Sequence, residues 1–170
     1  LDCPATSTCA HDEGMDKIWD TAKAFWADPS PENRAKLPEW LNFEGVRNTY
    51  LDGVPERLQP LFSPECWHFD WERMSRPGKL DMQFEMNCTY KSNIEMFPAF
   101  QEYFRIYQPP ALIMWGKYEP YYNVNEAHCY KKDLPNAHIH ILDGSHMLLE
   151  TNFDEVLNLI DNFLSLKPDH

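Results

Sequence analysis

Among the seven histidines of this sequence, His146 stands where a side chain can do chemistry. In LDGSHMLLETNFDEVLNLIDNFL, residues 142–164, it occupies a short loop between a β-like run and an amphipathic helix. A side chain there can face a cleft while its backbone is held at both ends, and an imidazole so held can act as a general base near neutral pH. The plain alternative is a histidine that ends a strand or caps the next helix. His138 and His140, two apart on an expected strand, share a face at a spacing that can bind metal. No third ligand is evident nearby, and the pair alternates with Ile139 and Ile141 as any strand would. Cys66 and His68 in ECWH fall on an expected helix, where residues two apart point in different directions, so they make no site.

The elements that must position these residues change character along the chain. Up to about residue 108 the text reads as helices separated by prolines. In GMDKIWDTAKAFWADP, Met15, Ile18, Trp19, Ala22, Phe25 and Trp26 recur at helical spacing and form an apolar stripe. Ser30 followed by Pro31, and Ser63 followed by Pro64, predict helix starts with the serine as N-cap. Arg76-Pro77-Gly78 predicts a stop. A single helical run is expected over LDMQFEMNCTYKSNIEMF, and Pro98 starts or kinks the next helix through AFQEYFRIY. Aromatics such as Trp40, Trp67, Trp71 and Phe97 are explained mostly by packing between short helices, with a few free to line an apolar pocket.

After Pro109-Pro110 the pattern is strand, helix, strand, helix. ALIMWG is a short apolar run closed by glycine, which predicts a buried parallel strand. NVNEAHCYKKDLP predicts a crossover helix, AHIHILDG a second strand, and NFDEVLNLIDNFLSL a final amphipathic helix. This is a right-handed βαβ unit of an α/β fold. Two strands leave a parallel sheet short of neighbours, so more sheet is expected from elsewhere.

Charge and composition bound the partners. A formal net charge of −12 argues against nucleic acid or an anionic membrane as principal partner, since both repel it at long range. An uncharged or cationic small molecule fits. No run approaches the roughly 18 apolar residues of a bilayer span, and LDCPATSTCAHDEG lacks the basic start and apolar middle of a signal peptide. Cys3, Cys9, Cys66, Cys88 and Cys129 are odd in number and form no CxxC pair, which favours a reducing compartment and hence the cytoplasm. Asn87-Cys88-Thr89 matches a glycosylation sequon, which matters only in a secreted protein.

PALIMWGKYEPYY, YKKDLPNAHIHILDGSHMLLE and VLNLIDNFL, in this order, resemble the C-terminal end of α/β-hydrolase fold proteins of the haloalkane dehalogenase and epoxide hydrolase type. DEGM, FWADPSPENRAKL, RPG, YKSN and FPAFQEYFRIYQPP extend the resemblance through the helical part, so that it covers roughly residues 11–166. It implies a partial α/β-hydrolase fold in which residues 11–108 are the helical cap and 109–170 the last strands and helices of the core, with residues 1–10 unassigned. It implies further that His146 is the general base, and that the loop after LIMWG carries its acid partner. Glu119 stands there, where the family more often has aspartate. The carboxylate of such a pair fixes the tautomer and orientation of the imidazole. YKSN resembles the text around a cap tyrosine that hydrogen-bonds an epoxide oxygen, which would assign that role to Tyr90. A phenol suits it, because its proton is retained at neutral pH yet can be shared with a developing alkoxide.

The nucleophile of that family stands on a strand-to-helix turn between glycines four residues apart. Gly14, Gly45, Gly53, Gly78, Gly116 and Gly144 include no such pair, and no histidine precedes a glycine to shape the usual oxyanion loop. Ser145 does not substitute, being adjacent to His146, and it stands where the family usually has glycine. The resemblance therefore implies a portion of a hydrolase for small apolar electrophiles, inactive alone, with no metal or organic cofactor and with the small-molecule substrate bound only once the N-terminal half is present. A different expectation is a truncated, non-catalytic module that associates with its own copies through the uncovered edge of ALIMW.

Overall fold

The computed structural model describes residues 20–37 and 41–166. Met15, Ile18, Trp19, Trp40, Cys3, Cys9 and the unassigned residues 1–10 lie outside the described residues. The architecture is mixed α/β, mostly helical, with a small parallel sheet. Helices α1 (Asp20–Ala27), α2 (Pro31–Arg34), α3 (Phe43–Leu51), α4 (Pro64–Met74), α5 (Lys79–Thr89), α6 (Lys91–Glu95) and α7 (Phe97–Tyr107) come first. Strand β1 (Leu112–Gly116), helix α8 (Val124–Cys129), strand β2 (His138–Leu142), the short α9 (Leu148–Thr151) and α10 (Phe153–Ser165) follow.

Local chemistry accounts for most boundaries. Ser30 is extended and its Oγ accepts the Asn33 N–H, with Pro31 in the first turn, where its missing N–H costs nothing. Ser63 holds the same position before α4 but makes no such bond, because its hydroxyl donates to the Glu65 carboxylate instead. Helix α3, which has no proline to announce it, is capped by Asn42, whose Oδ1 accepts the Gly45 N–H at 2.9 Å. The single run expected over residues 80–97 is divided at Tyr90. Its N–H turns back to the Asn87 carbonyl, and the Thr89 hydroxyl donates to the carbonyls of Glu85 and Met86, competing with the helical ladder.

Strands β1 and β2 pair in parallel, Leu112 opposite His138 through Gly116 opposite Leu142, with α8 as the crossover. The expectation of a buried strand is corrected: Leu112–Trp115 are half-buried and only Gly116 is buried. Each strand has one neighbour among the described residues, whereas the apolar faces of parallel strands are ordinarily covered on both sides.

The main apolar cluster lies in the helical part, where Val46, Tyr50, Val54, Leu58, Phe62 and Trp67 are buried together. Tyr118, just beyond β1, and Met147, just beyond β2, pack against it. The helices are thus docked on the two loops at the carboxyl end of the sheet. Among the described residues no helix is long and apolar enough to cross a membrane.

Candidate active site

Strand pairing continues past the strand ends, and this continuation builds the site. The Lys117 N–H donates to the Leu142 carbonyl at 2.8 Å and the Tyr118 N–H to the Gly144 carbonyl at 2.9 Å. The loop after β1 is thereby zipped to the loop after β2. Gly116 permits the approach, since a Cβ there would lie 2.3 Å from the Ser145 carbonyl oxygen. Trp115 holds the far side of the same loop, its indole Nε1–H donating to the Tyr122 carbonyl at 3.2 Å.

Glu119 and His146, 27 residues apart in sequence, are brought together by this zip. Oε2 of Glu119 lies 2.7 Å from Nδ1 of His146. An ionised carboxylate only accepts, so Nδ1–H is the donor and the lone pair of the neutral ring falls on Nε2. The other carboxylate oxygen, Oε1, accepts the Tyr121 N–H at 2.8 Å. The Glu119 side chain is 7% exposed and that of His146 33%, so the acid is shielded while the imidazole opens outward. A shielded carboxylate beside an oriented, partly exposed imidazole is an arrangement able to abstract a proton from water.

The helical part braces both loops. Gly53, with φ of 72°, lies against the Tyr118 carbonyl and Pro120, a left-handed turn and a close approach that glycine satisfies together. The Arg57 guanidinium donates to the Tyr118 hydroxyl at 3.0 Å and to Asp143 at 2.7 Å. Hydrogen bonds from Arg57 and then from Tyr118 hold the Asp143 carboxyl below the usual carboxylate range.

Tyr90 stands at the junction of α5 and α6, with its hydroxyl oxygen buried. Ser145 has ordinary negative φ, so its turn accepts a side chain, and its Oγ is buried. His138 meets Phe163 edge-on at 5.7 Å, and the described residues hold no cluster of three His, Cys, Asp or Glu side chains fit for a metal. Cys66 donates to Glu150, and burial followed by that bond pushes its thiol up, away from nucleophilic duty, while His68 packs on Phe43. Sequence reasoning missed Tyr121, Arg57 and Asp143. The available signal for Tyr121 was its place two residues after a candidate acid, where a main-chain N–H turns back onto the carboxylate. Nothing local marks the other two.

No protein-family model matches the chain. Over 147 residues it is 29% identical to the uncharacterized hydrolase YNR064C of Saccharomyces cerevisiae, a match that covers 84% of this chain and 50% of that protein. The chain is therefore similar to part of a hydrolase and spans about half its length.

Proposed function

We propose that this chain supplies the base, its acid partner and the helical cap of an α/β hydrolase acting on a small apolar electrophile, an epoxide, a haloalkane or an ester. The observation that carries the reading is the 2.7 Å contact of Glu119 with His146 beyond the carboxyl ends of two parallel strands, where open α/β sheets bind their ligands. The similarity to a hydrolase supports it. In this reading residues 11–108 are the cap and 109–170 the end of the core. For an epoxide or haloalkane, an aspartate from a segment outside this sequence attacks the electrophilic carbon; the C–O or C–halogen bond breaks and an alkyl ester forms. Nε2 of His146 takes a proton from water and the hydroxide adds to the ester carbonyl; the adduct then collapses, breaking the bond to the alkyl oxygen, restoring the carboxylate and releasing the alcohol, whose proton comes back from the imidazolium. Tyr90, in the same reading, shares its proton with the alkoxide as an epoxide opens.

The isolated chain is expected to show no turnover of epoxides, haloalkanes or simple esters, because base and acid without a nucleophile leave the covalent step unsupplied. Joined to a segment that bears the nucleophile it is expected to gain turnover. Saturable hydrolysis by the isolated chain, abolished by His146→Ala, overturns the proposal.

A specific observation favours a second role. Phe153, Leu157 and Leu164 form one exposed stripe on α10, and Leu149 and Leu166 are exposed as well. Together with the two-stranded sheet this is surface for a missing half to cover, or for a second copy of the chain. Dimers or larger species are expected in sedimentation at micromolar concentration. A sharp monomer with cooperative unfolding counts against both occupants.

A further inference from the structure

Tyr121 is engaged at two points around the candidate pair. Its N–H donates to Glu119 Oε1 at 2.8 Å. Its ring meets the His146 imidazole edge-to-face, with centroids 5.2 Å apart and planes at 83°. Its phenol lies toward the helical part: burial pushes it up, Asp52 adds to the rise, and Thr49 on α3 opposes it. The ring is half-buried, so it is gripped rather than free to swing.

We infer that Tyr121 is a positioning residue for the Glu119–His146 pair. An imidazole can rotate about its own side-chain bonds and exchange its proton with water, and a single hydrogen bond through Nδ1 leaves it a hinge. The Tyr121 ring removes that freedom from one side. Its edge-to-face contact fixes the tilt of the imidazole plane, and its bulk keeps water from the Nδ1–carboxylate contact. The main-chain bond to Oε1 meanwhile prevents the carboxylate from turning its second oxygen toward the histidine.

The inference rests on the reading of His146 as a base, but its readout is the tautomer of one ring and stands whether or not an assembled protein hydrolyses anything. The experiment is nitrogen-15 NMR of the full 170-residue chain, with the His146 signals identified by their loss in His146→Gln. In the unaltered chain neutral His146 is expected as the Nδ1–H tautomer, with cross-relaxation between its ring protons and those of Tyr121. Tyr121→Leu keeps the N–H and the apolar volume but not the aromatic edge; loss of the dominant Nδ1–H signal into a tautomer mixture is expected. Tyr121→Phe is expected to restore it. An unchanged tautomer in Tyr121→Leu, or an equal loss in Tyr121→Phe, overturns the inference. If Tyr121→Leu fails to fold, the cross-relaxation in the unaltered chain decides, and its absence overturns the inference as well.

Discussion

Gly116→Ala is expected to lower the stability of the fold by about 2–4 kcal/mol, the sum of a strained contact and a weakened loop zip. A Cβ at residue 116 would lie 2.3 Å from the Ser145 oxygen, 2.7 Å from the Ser145 carbonyl carbon and 2.9 Å from the Gly144 oxygen, all main-chain atoms. No flexible side-chain tip is available to move aside. The loop must retreat, and its retreat pulls on the bonds from Lys117 to Leu142 and from Tyr118 to Gly144. Each such bond contributes about 1 kcal/mol net. Gly78→Ala is the control: Gly78 has φ of 77°, and a Cβ added there would meet nothing within 4 Å, so only left-handed strain of about 1–2 kcal/mol applies. Urea unfolding of both variants compares the two effects, with a shift in midpoint at constant slope reporting stability. If Gly116→Ala unfolds no more readily than Gly78→Ala, the close approach does not hold the loops together. Because residue 145 adjoins His146, the same substitution is expected to lengthen the contact with Glu119.

Elements whose signals are local are legible in the sequence. The run ALIMWG closes at Gly116, where β1 ends, and AHIHILDG contains β2. Pro98 falls in the first turn of α7 as its fixed φ dictates, and NFDEVLNLIDNFLSL contains α10. Glu119 and His146 are singled out by resemblance, but the distance between them follows only from the register of β1 on β2. What stays hidden depends on partners remote in sequence or on competition between weak interactions. Arg57 meets Asp143 across 86 residues, and neither side chain carries a mark of the other. Half-burial of Leu112–Trp115 reflects what covers the sheet, which the strand's own residues do not encode. The break at Tyr90 turns on hydroxyl bonds from Thr89 that rival a helical ladder by a fraction of its strength.

In a protein assembled from this chain and a nucleophile-bearing segment, Glu119→Gln is expected to slow hydrolysis of the covalent ester by about 10⁴-fold, the scale on which a triad loses its acid, or about 5 kcal/mol in the barrier. Oε1 of Glu119 accepts the Tyr121 N–H while Oε2 faces Nδ1 of His146. A carboxamide has one oxygen to give. With that oxygen on the Tyr121 N–H, its NH2 is turned toward Nδ1, and two donors cannot face each other. The imidazole then gives up the Nδ1 proton and carries it on Nε2, which leaves no lone pair to receive a proton from water. Charge is lost as well, so the imidazolium formed during water attack has no counter-ion in a pocket where Glu119 is 7% exposed. Formation of the ester by the nucleophile needs neither function. The variant is therefore expected to accumulate covalent adduct, visible as added mass after rapid quenching, while the unaltered assembly turns over without a build-up. Glu119→Asp separates shape from charge: it keeps the anion and withdraws it by about one methylene, so its loss is expected to be smaller than that of the amide. Equal slowing of ester formation and ester hydrolysis by Glu119→Gln would place the residue in general stability instead of in the proton path. Full activity of the amide would remove it from the site altogether.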